Sequence, residues 1–268
     1  MELEQLTNEI AQIARLAGDY LRQARTDFHS DLVENKHPHD YVSYVDRNSE
    51  KLLVEKLHAL LPQASFITEE GTVEQEQTAD FQFVIDPLDG TTNFIRDNAP
   101  YCVCIALRSS TEFLIGVVYE VCRDELYTAY KDGPALLNGK LIHVSKVTDL
   151  NEAYAFLELP YNVDDYKHTG EWMYRQLYGR VTCLRMPGSA AAGLCYIAAG
   201  RFDVWFESFI GRWDYSAAAL IVRQAGGTVT NYFGNTDIMN TSHIVATNGP
   251  LHAEMIQLLQ EALPYGIK

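Results

Sequence analysis

The sequence predicts a layered α+β fold, and three observations carry that prediction. Two helical stripes precede a closely spaced run of strand-like segments. The second half then alternates strand-like segments with helices that are apolar nearly all round. No low-complexity stretch or Pro/Gly/Ser-rich hinge divides the 268 residues. One domain over residues 1–268, built as two intimately packed lobes meeting near residue 150, fits this better than two independent domains.

The first element is a long amphipathic helix, because Leu3, Leu6, Ile10, Ile13, Ala17, Leu21 and Ala24 recur at three- and four-residue steps. The polar stretch HSDLVENKHPHD interrupts it and reads as a mobile loop. A second helix follows from about Asp46, turning Leu52, Leu53, Leu57, Leu60 and Leu61 inward, with Pro62 just past its end. ASFIT, FQFVID, YCVCIALR, FLIGVVYEV and ELYTAY then read as strands of a meandering sheet, and Asn138-Gly139 between apolar flanks is a hairpin signal. The second half reads as a strand in AYAFLEL, a helix near Asp164 to Tyr178, a strand in VTCLRM and a helix opening at GSAAAGLCYIAAG. A strand in FDVWF and a helix in DYSAAALIVRQAGG complete it. These last two helices are apolar on nearly every side and are expected to be buried. Gly226 and Gly227 end the second of them as a left-handed cap.

A chain that is 47% hydrophobic has ample material for a core, and 36 acidic against 21 basic residues argue against a broadly basic nucleic-acid-binding surface. No segment has the length of an uncharged membrane span, and the N-terminus lacks a basic region followed by an apolar one, so a soluble cytoplasmic protein is expected. Five scattered cysteines, Cys102, Cys104, Cys122, Cys183 and Cys195, lack metal-finger spacing and read as reduced thiols.

Carboxylates at the ends of apolar elements carry the functional signal: Glu69 and Glu70 after SFIT, Asp86 and Asp89 in VIDPLDGTTNF, and Asp214 in RWDYSAAA. A buried charge must meet a cation, a hydrogen-bonding network or water. By itself DPLDG reads equally as a turn, since proline presets φ and Asp-Gly suits turn positions. The residues after it can open a helix whose free N–H groups hold a phosphate oxygen. Two carboxylates beside a phosphate call for divalent cations between them, and hard oxygen donors suit Mg²⁺. Asp46, in DYVSYVD, reads either as a helix cap or as an acid that orients an attacking water.

The strings DYVSYVD, FITEEG, VIDPLDGTTNF and RWDYSAAALIVRQAGG occur in that order over almost the full length. In this the chain resembles the inositol monophosphatase family of Mg²⁺-dependent, lithium-sensitive sugar phosphatases. The resemblance implies an α-β-α-β-α sandwich and a homodimer. It implies a first metal on Glu69, Asp86 and the Leu88 carbonyl, and a second on Asp86, Asp89 and Asp214. It further implies that Thr91 and Asp46 orient the water and that N–H groups of Gly90 and Thr91 hold the phosphate. Glu207 would contact a substrate hydroxyl, with Gly188, Ser189 and Ala190 lining the same pocket.

The implied activity is hydrolysis of a small polyol phosphate, foremost myo-inositol 1-phosphate, by metal-activated water. Alternatives are a phosphatase for fructose 1,6-bisphosphate or 3'-phosphoadenosine 5'-phosphate, for which Arg96, Arg185 or Arg212 would meet the second anion, or a non-catalytic partner of the transcription machinery that retains the fold. Some residues depart from the family pattern. Thr68 stands where a glycine is usual, and IRDNAPYCVCIAL carries an extra residue and an Arg-Asp pair expected to alter the wall near the active-site helix. Lys36 reads as a metal-site lysine or a solvated loop residue, His37 and His39 as solvated, and Trp205, Phe206 and Phe209 as core or subunit interface.

Overall fold

The computed structural model describes residues 2–28, 33–37, 40–74, 79–159 and 163–262. In chain order its first half comprises α1 (Leu3–Thr26), β1 (Glu34–His37), β2 (Asp40–Val42), α2 (Tyr44–Leu60), β3 (Ser65–Thr68), β4 (Gln82–Asp89), α3 (Thr91–Ile95), β5 (Cys102–Arg108), β6 (Phe113–Glu120), β7 (Glu125–Tyr130), β8 (Leu136–Leu137) and β9 (Lys140–Leu141). The second half adds β10 (Tyr154–Leu157), α4 (Val163–Leu177), β11 (Cys183–Arg185), α5 (Ala190–Ala198), β12 (Val204–Ser208), α6 (Arg212–Gln224), β13 (Thr228–Thr230), β14 (His243–Thr247) and α7 (His252–Ala262).

β3 to β9 form one sheet in sequence order; the expected meander runs antiparallel from β4 onward, whereas β3 departs from it by pairing parallel with β4. A second sheet runs β11-β10-β12-β14-β13 and is mixed. Three apolar cores glue five layers together. Side chains of α1 and α2 pack on one face of the first sheet, those of α5 and α6 fill the space between the sheets, and α4 and α7 cover the outer face of the second. The α-β-α-β-α order is therefore realised. All nine residues of α5 are buried, as its apolar composition requires.

The segment expected to be a mobile loop instead contains an antiparallel hairpin, β1 with β2. Its short polar strands carry no apolar alternation, so periodicity could not reveal them. Lys36 and His37 belong to β1 with side chains outside the described residues, and His39 lies outside them altogether. Cys102, Cys104 and Cys195 are free and buried, whereas Cys122 is exposed.

The backbones of two layers meet closely where α6 crosses β6. A Cβ on Gly116 would lie 2.3 Å from the Ala217 carbonyl oxygen. Gly116 is paired with Ala106 on one side and Ala129 on the other, so three small residues make a flat track for the helix. That track sets the depth at which Asp214, on the first turn of α6, is presented.

Candidate active site

β4 is the element that creates the site. In a regular strand side chains alternate faces, so residues three apart, such as Asp86 and Asp89, would point oppositely. Here Asp86 pairs with Cys104 and Asp89 with Cys102, which inserts one extra residue on the β4 side. The bulge turns both carboxylates to one face. Asp86 Oδ1 accepts from the Leu88 N–H at 2.8 Å, which fixes the bulge from within. The sequence reading of DPLDG as a turn is thus corrected: the strand continues through Asp89, and the chain reverses only at Gly90. That residue has φ +92°, and a Cβ there would lie 2.9 Å from the Pro100 carbonyl oxygen.

Asp89 is seated by the other half of the molecule. Its carboxylate accepts from the Ser189 hydroxyl and from the N–H groups of Ala190 and Ala191, at 3.3 and 2.9 Å. These are the cap and first turn of α5, where helix polarity favours an anion. Gly188, Ser189 and Ala190 do border the cavity, as expected, but the donors of Ser189 and Ala190 are engaged by Asp89. Sequence gave no hint that two segments 100 residues apart would lock in this way.

Asp214 comes from the first turn of α6 and accepts from the Gly211 N–H at 2.9 Å. Asp86, Asp89 and Asp214 each bring a carboxylate oxygen within 4.8 Å of the others. Burial raises all three pKa values. For Asp86 the charges of Glu69, Asp214 and Asp89 add to that rise, and for Asp214 those of Glu69 and Asp89 do. Asp89 is pushed up to about 6 by burial, against the opposing pull of the Ser189 hydroxyl and the α5 N–H groups. Such a cluster of mutually repelling hard oxygen donors fits a divalent cation.

Glu69 follows β3, with its N–H donating to Ile85 O at 3.2 Å. Its loop hangs on Glu50, a fully buried residue of α2. One Glu50 oxygen accepts from the Thr68 hydroxyl, the Thr72 N–H and the Thr72 hydroxyl at 2.9, 2.7 and 2.7 Å, while the other accepts from the Glu70 N–H at 2.7 Å. The departure at Thr68 thereby has a use, since its hydroxyl supplies a bond that glycine would lack. Sequence reasoning overlooked Glu50, which looks like one more polar helix residue.

The Thr91 Oγ lies 2.9 Å from Asp46 Oδ1 and 3.1 Å from the Leu88 carbonyl oxygen, both acceptors for its one proton. Asp46 is buried behind Thr91, outside the cavity lining, and burial raises its pKa against hydrogen bonds from Ser43 and Thr91. It also accepts from the Ser43 N–H and hydroxyl at 2.8 and 2.7 Å, while the Ser43 side chain caps α2. The cap is therefore Ser43, and Asp46 serves both the helix start, as the third residue of a capping box, and Thr91. Asn93, which the sequence did not single out, donates to Pro100 O and Pro187 O at 2.8 and 2.7 Å, tying α3 to the segment before α5.

Glu69, Asp86, Asp89, Thr91 and Asp214 border one cavity of about 350 Å³, which also meets Tyr41, Glu158, Glu207 and Phe209, while Asp46, Glu50 and Asn93 stand behind its wall. Glu207 has one carboxylate oxygen, Oε2, that is buried with no hydrogen-bond partner. Phe209 is 53% exposed and belongs to this wall, so it is not core; Trp205 and Phe206 are core. Arg96 and Asp97 are exposed and do not border the cavity, so the Arg-Asp pair does not remodel its wall. Asp97 lies 3.7 Å from Arg25 of α1 instead. No described helix is long and apolar enough to cross a membrane.

The family model described as "Inositol monophosphatase family" matches residues 2–263. The chain is 35% identical over 265 residues to the Nus factor SuhB of Escherichia coli K12, covering 98% of each protein. The extragenic suppressor protein suhB of Bartonella henselae superposes with a TM-score of 0.88 at 32% identity, over 95% of this chain and 98% of that one. An inositol monophosphatase from Anabaena sp. PCC 7120 gives a TM-score of 0.86 at 28% identity, over 97% of each.

Proposed function

This chain belongs to the inositol monophosphatase family, and from that premise we propose that it is a Mg²⁺-dependent phosphomonoesterase acting on a small polyol phosphate, foremost myo-inositol 1-phosphate. The observation that carries the reading is the convergence of Asp86, Asp89 and Asp214 on one point beside Thr91 and the Gly90 turn. Glu69, Asp86 and the Leu88 carbonyl, together with Asp89 and Asp214, would hold the metal. Bound there, magnesium would neutralise phosphate charge and acidify a neighbouring water. The chain supplies the rest. Thr91, its own proton directed to Asp46, offers an oxygen lone pair that orients the attacking water, and the buried Asp46 carboxylate is the acceptor behind it. N–H groups of Gly90 and Thr91 meet the phosphate, and Glu207 accepts from a hydroxyl of the substrate body.

Steady-state hydrolysis of myo-inositol 1-phosphate, fructose 1,6-bisphosphate and 3'-phosphoadenosine 5'-phosphate, with and without Mg²⁺, tests this. Mg²⁺-dependent turnover with preference for the monophosphate is expected. Negligible turnover of every ester, together with co-purification of RNA polymerase, would replace it by the reading as a partner of the transcription machinery. The complete carboxylate set speaks for the enzyme. The proposal includes a single cytoplasmic catalytic domain of two lobes meeting near residue 150, and a homodimer, for which light scattering should return twice the 30.3 kDa chain mass.

Two further outcomes do not depend on the choice of ester. Because the cluster's carboxyl pKa values are raised, its contribution to stability without cation is full below about pH 4 and is lost as pH rises; for Asp89 the loss runs from about pH 4 to about pH 6. A cation competes with those protons, so Mg²⁺ should raise Tm more at pH 8 than at pH 5. Equal shifts at both pH values would count against the cluster as its site. In Glu50→Gln the amide NH₂ must face donors that now meet a carboxylate oxygen, loosening the loop that carries Glu69. The Mg²⁺ concentration giving half-maximal rate should then rise about tenfold, the usual scale for a group behind a ligand.

A further inference from the structure

β10 and β12 are parallel, with Leu157 opposite Phe206, and the Glu158 N–H reaches the Phe206 carbonyl oxygen at 3.4 Å. Carried one residue further, this register sets Glu158 beside Glu207 at the C-terminal ends of neighbouring strands, with side chains on the same face. Both border the cavity. One Glu158 oxygen accepts from the Gly188 N–H at 2.6 Å, whereas Glu207 Oε2 is buried and has no partner at all. A buried carboxylate oxygen in that state needs a donor.

The charge of the wall narrows what the donor can be. Six carboxylates border the cavity, Glu69, Asp86, Asp89, Glu158, Glu207 and Asp214, and no lysine, arginine or histidine is among the described residues that do so. The arginines considered for a second anion are elsewhere: Arg212 bonds Asn240 at 3.2 Å, Arg185 bonds the Leu184 carbonyl at 3.0 Å, and Arg96 is exposed away from the cavity. A cation cluster on the three aspartates leaves Glu158 and Glu207 uncompensated. Neutral hydroxyls satisfy them, while a second phosphate would face two like charges.

We propose that Glu158 is a specificity-determining residue that joins Glu207 as a paired acceptor for neighbouring hydroxyls on the substrate body, selecting a hydroxyl-rich ring with one phosphate and rejecting bisphosphates. The inference rests on the phosphatase reading above. Burial raises the pKa of both carboxyls, Glu158 to about 7, and the nearby Glu158 charge adds to the rise at Glu207; hydroxyls donated by a substrate would favour the charged form that accepts them.

The test compares myo-inositol 1-phosphate with cyclohexyl phosphate, the same ring without hydroxyls, and with fructose 1,6-bisphosphate. The wild type should favour the inositol ester over both, by at least about 100-fold over cyclohexyl phosphate, as expected when hydroxyls meet charged acceptors. Glu158→Gln and Glu207→Gln should each reduce that preference about tenfold, chiefly through KM for the inositol ester. If Glu158 merely holds the Gly188 turn, Glu158→Gln will lower kcat for both ring esters by one factor and leave their ratio intact, which overturns the proposal. A bisphosphate hydrolysed in preference to the monophosphate also overturns it. Hydrolysis of none of the esters by the wild type defeats the phosphatase reading itself, and this inference with it.

Discussion

Asp86→Asn should lower Mg²⁺-dependent turnover on the order of 10³-fold, the scale of removing one fixed electrostatic contact to a transition state. Asp86 is the carboxylate shared between the two metal sites that the family resemblance implies. Its surroundings also oppose its charge, with burial first and then Glu69, Asp214 and Asp89 raising its pKa. Asparagine keeps the oxygen that accepts from Leu88 N–H, so the bulge in β4 survives. It removes a buried negative charge, so Tm measured without Mg²⁺ should hold or rise while the gain on adding Mg²⁺ shrinks. A purified variant retaining more than a tenth of wild-type turnover would sink the assignment of Asp86 as a ligand.

Gly116→Val should produce the largest loss of stability, about 3 kcal/mol at the upper end of overpacking costs. A Cβ would stand 2.3 Å from the Ala217 carbonyl oxygen, and the obstacle is backbone in the middle of a buried helix, which no rotamer change relieves. The small neighbours Ala106 and Ala129 give the valine methyl groups room only along the sheet, not toward α6. Urea denaturation followed by circular dichroism should show a lower midpoint, and turnover should fall with it because α6 carries Asp214. A midpoint within about 0.5 kcal/mol of wild type, the ordinary scatter of surface substitutions, would show that the helix rides higher on the sheet than the structure has it.

Periodicity and motif spacing made the layers and most strands legible. Long elements with one apolar face announce themselves, as in α1, and so do buried runs such as CVCIALR in β5. What stayed hidden has short-range or long-range causes. β1 and β2 are too short and polar to leave a period. The bulge at Pro87-Leu88 imitates a turn, because proline and Asp-Gly serve both, and only the pairing with Cys102 and Cys104 tells them apart. The acidic residues of the cluster were visible because carboxylates at the ends of apolar segments are costly without partners. Glu50, Asn93 and Glu158 were not, since each acts on backbone N–H or C=O groups far along the chain, and nothing in a residue's immediate neighbours records that.

The seating of Asp89 on the first turn of α5 also bears on how the molecule comes together during folding. Its three donors lie 100 or more residues downstream, and α6 reaches back from the second half to lie on β6. Closing loops of that length is entropically slow. A chain with only its first sheet formed would hold Asp86 and Asp89 without the helix that anchors one and without Asp214 altogether. Secondary structure should therefore recover ahead of enzymatic activity on refolding, and fragments cut near residue 150 should each be inert until mixed.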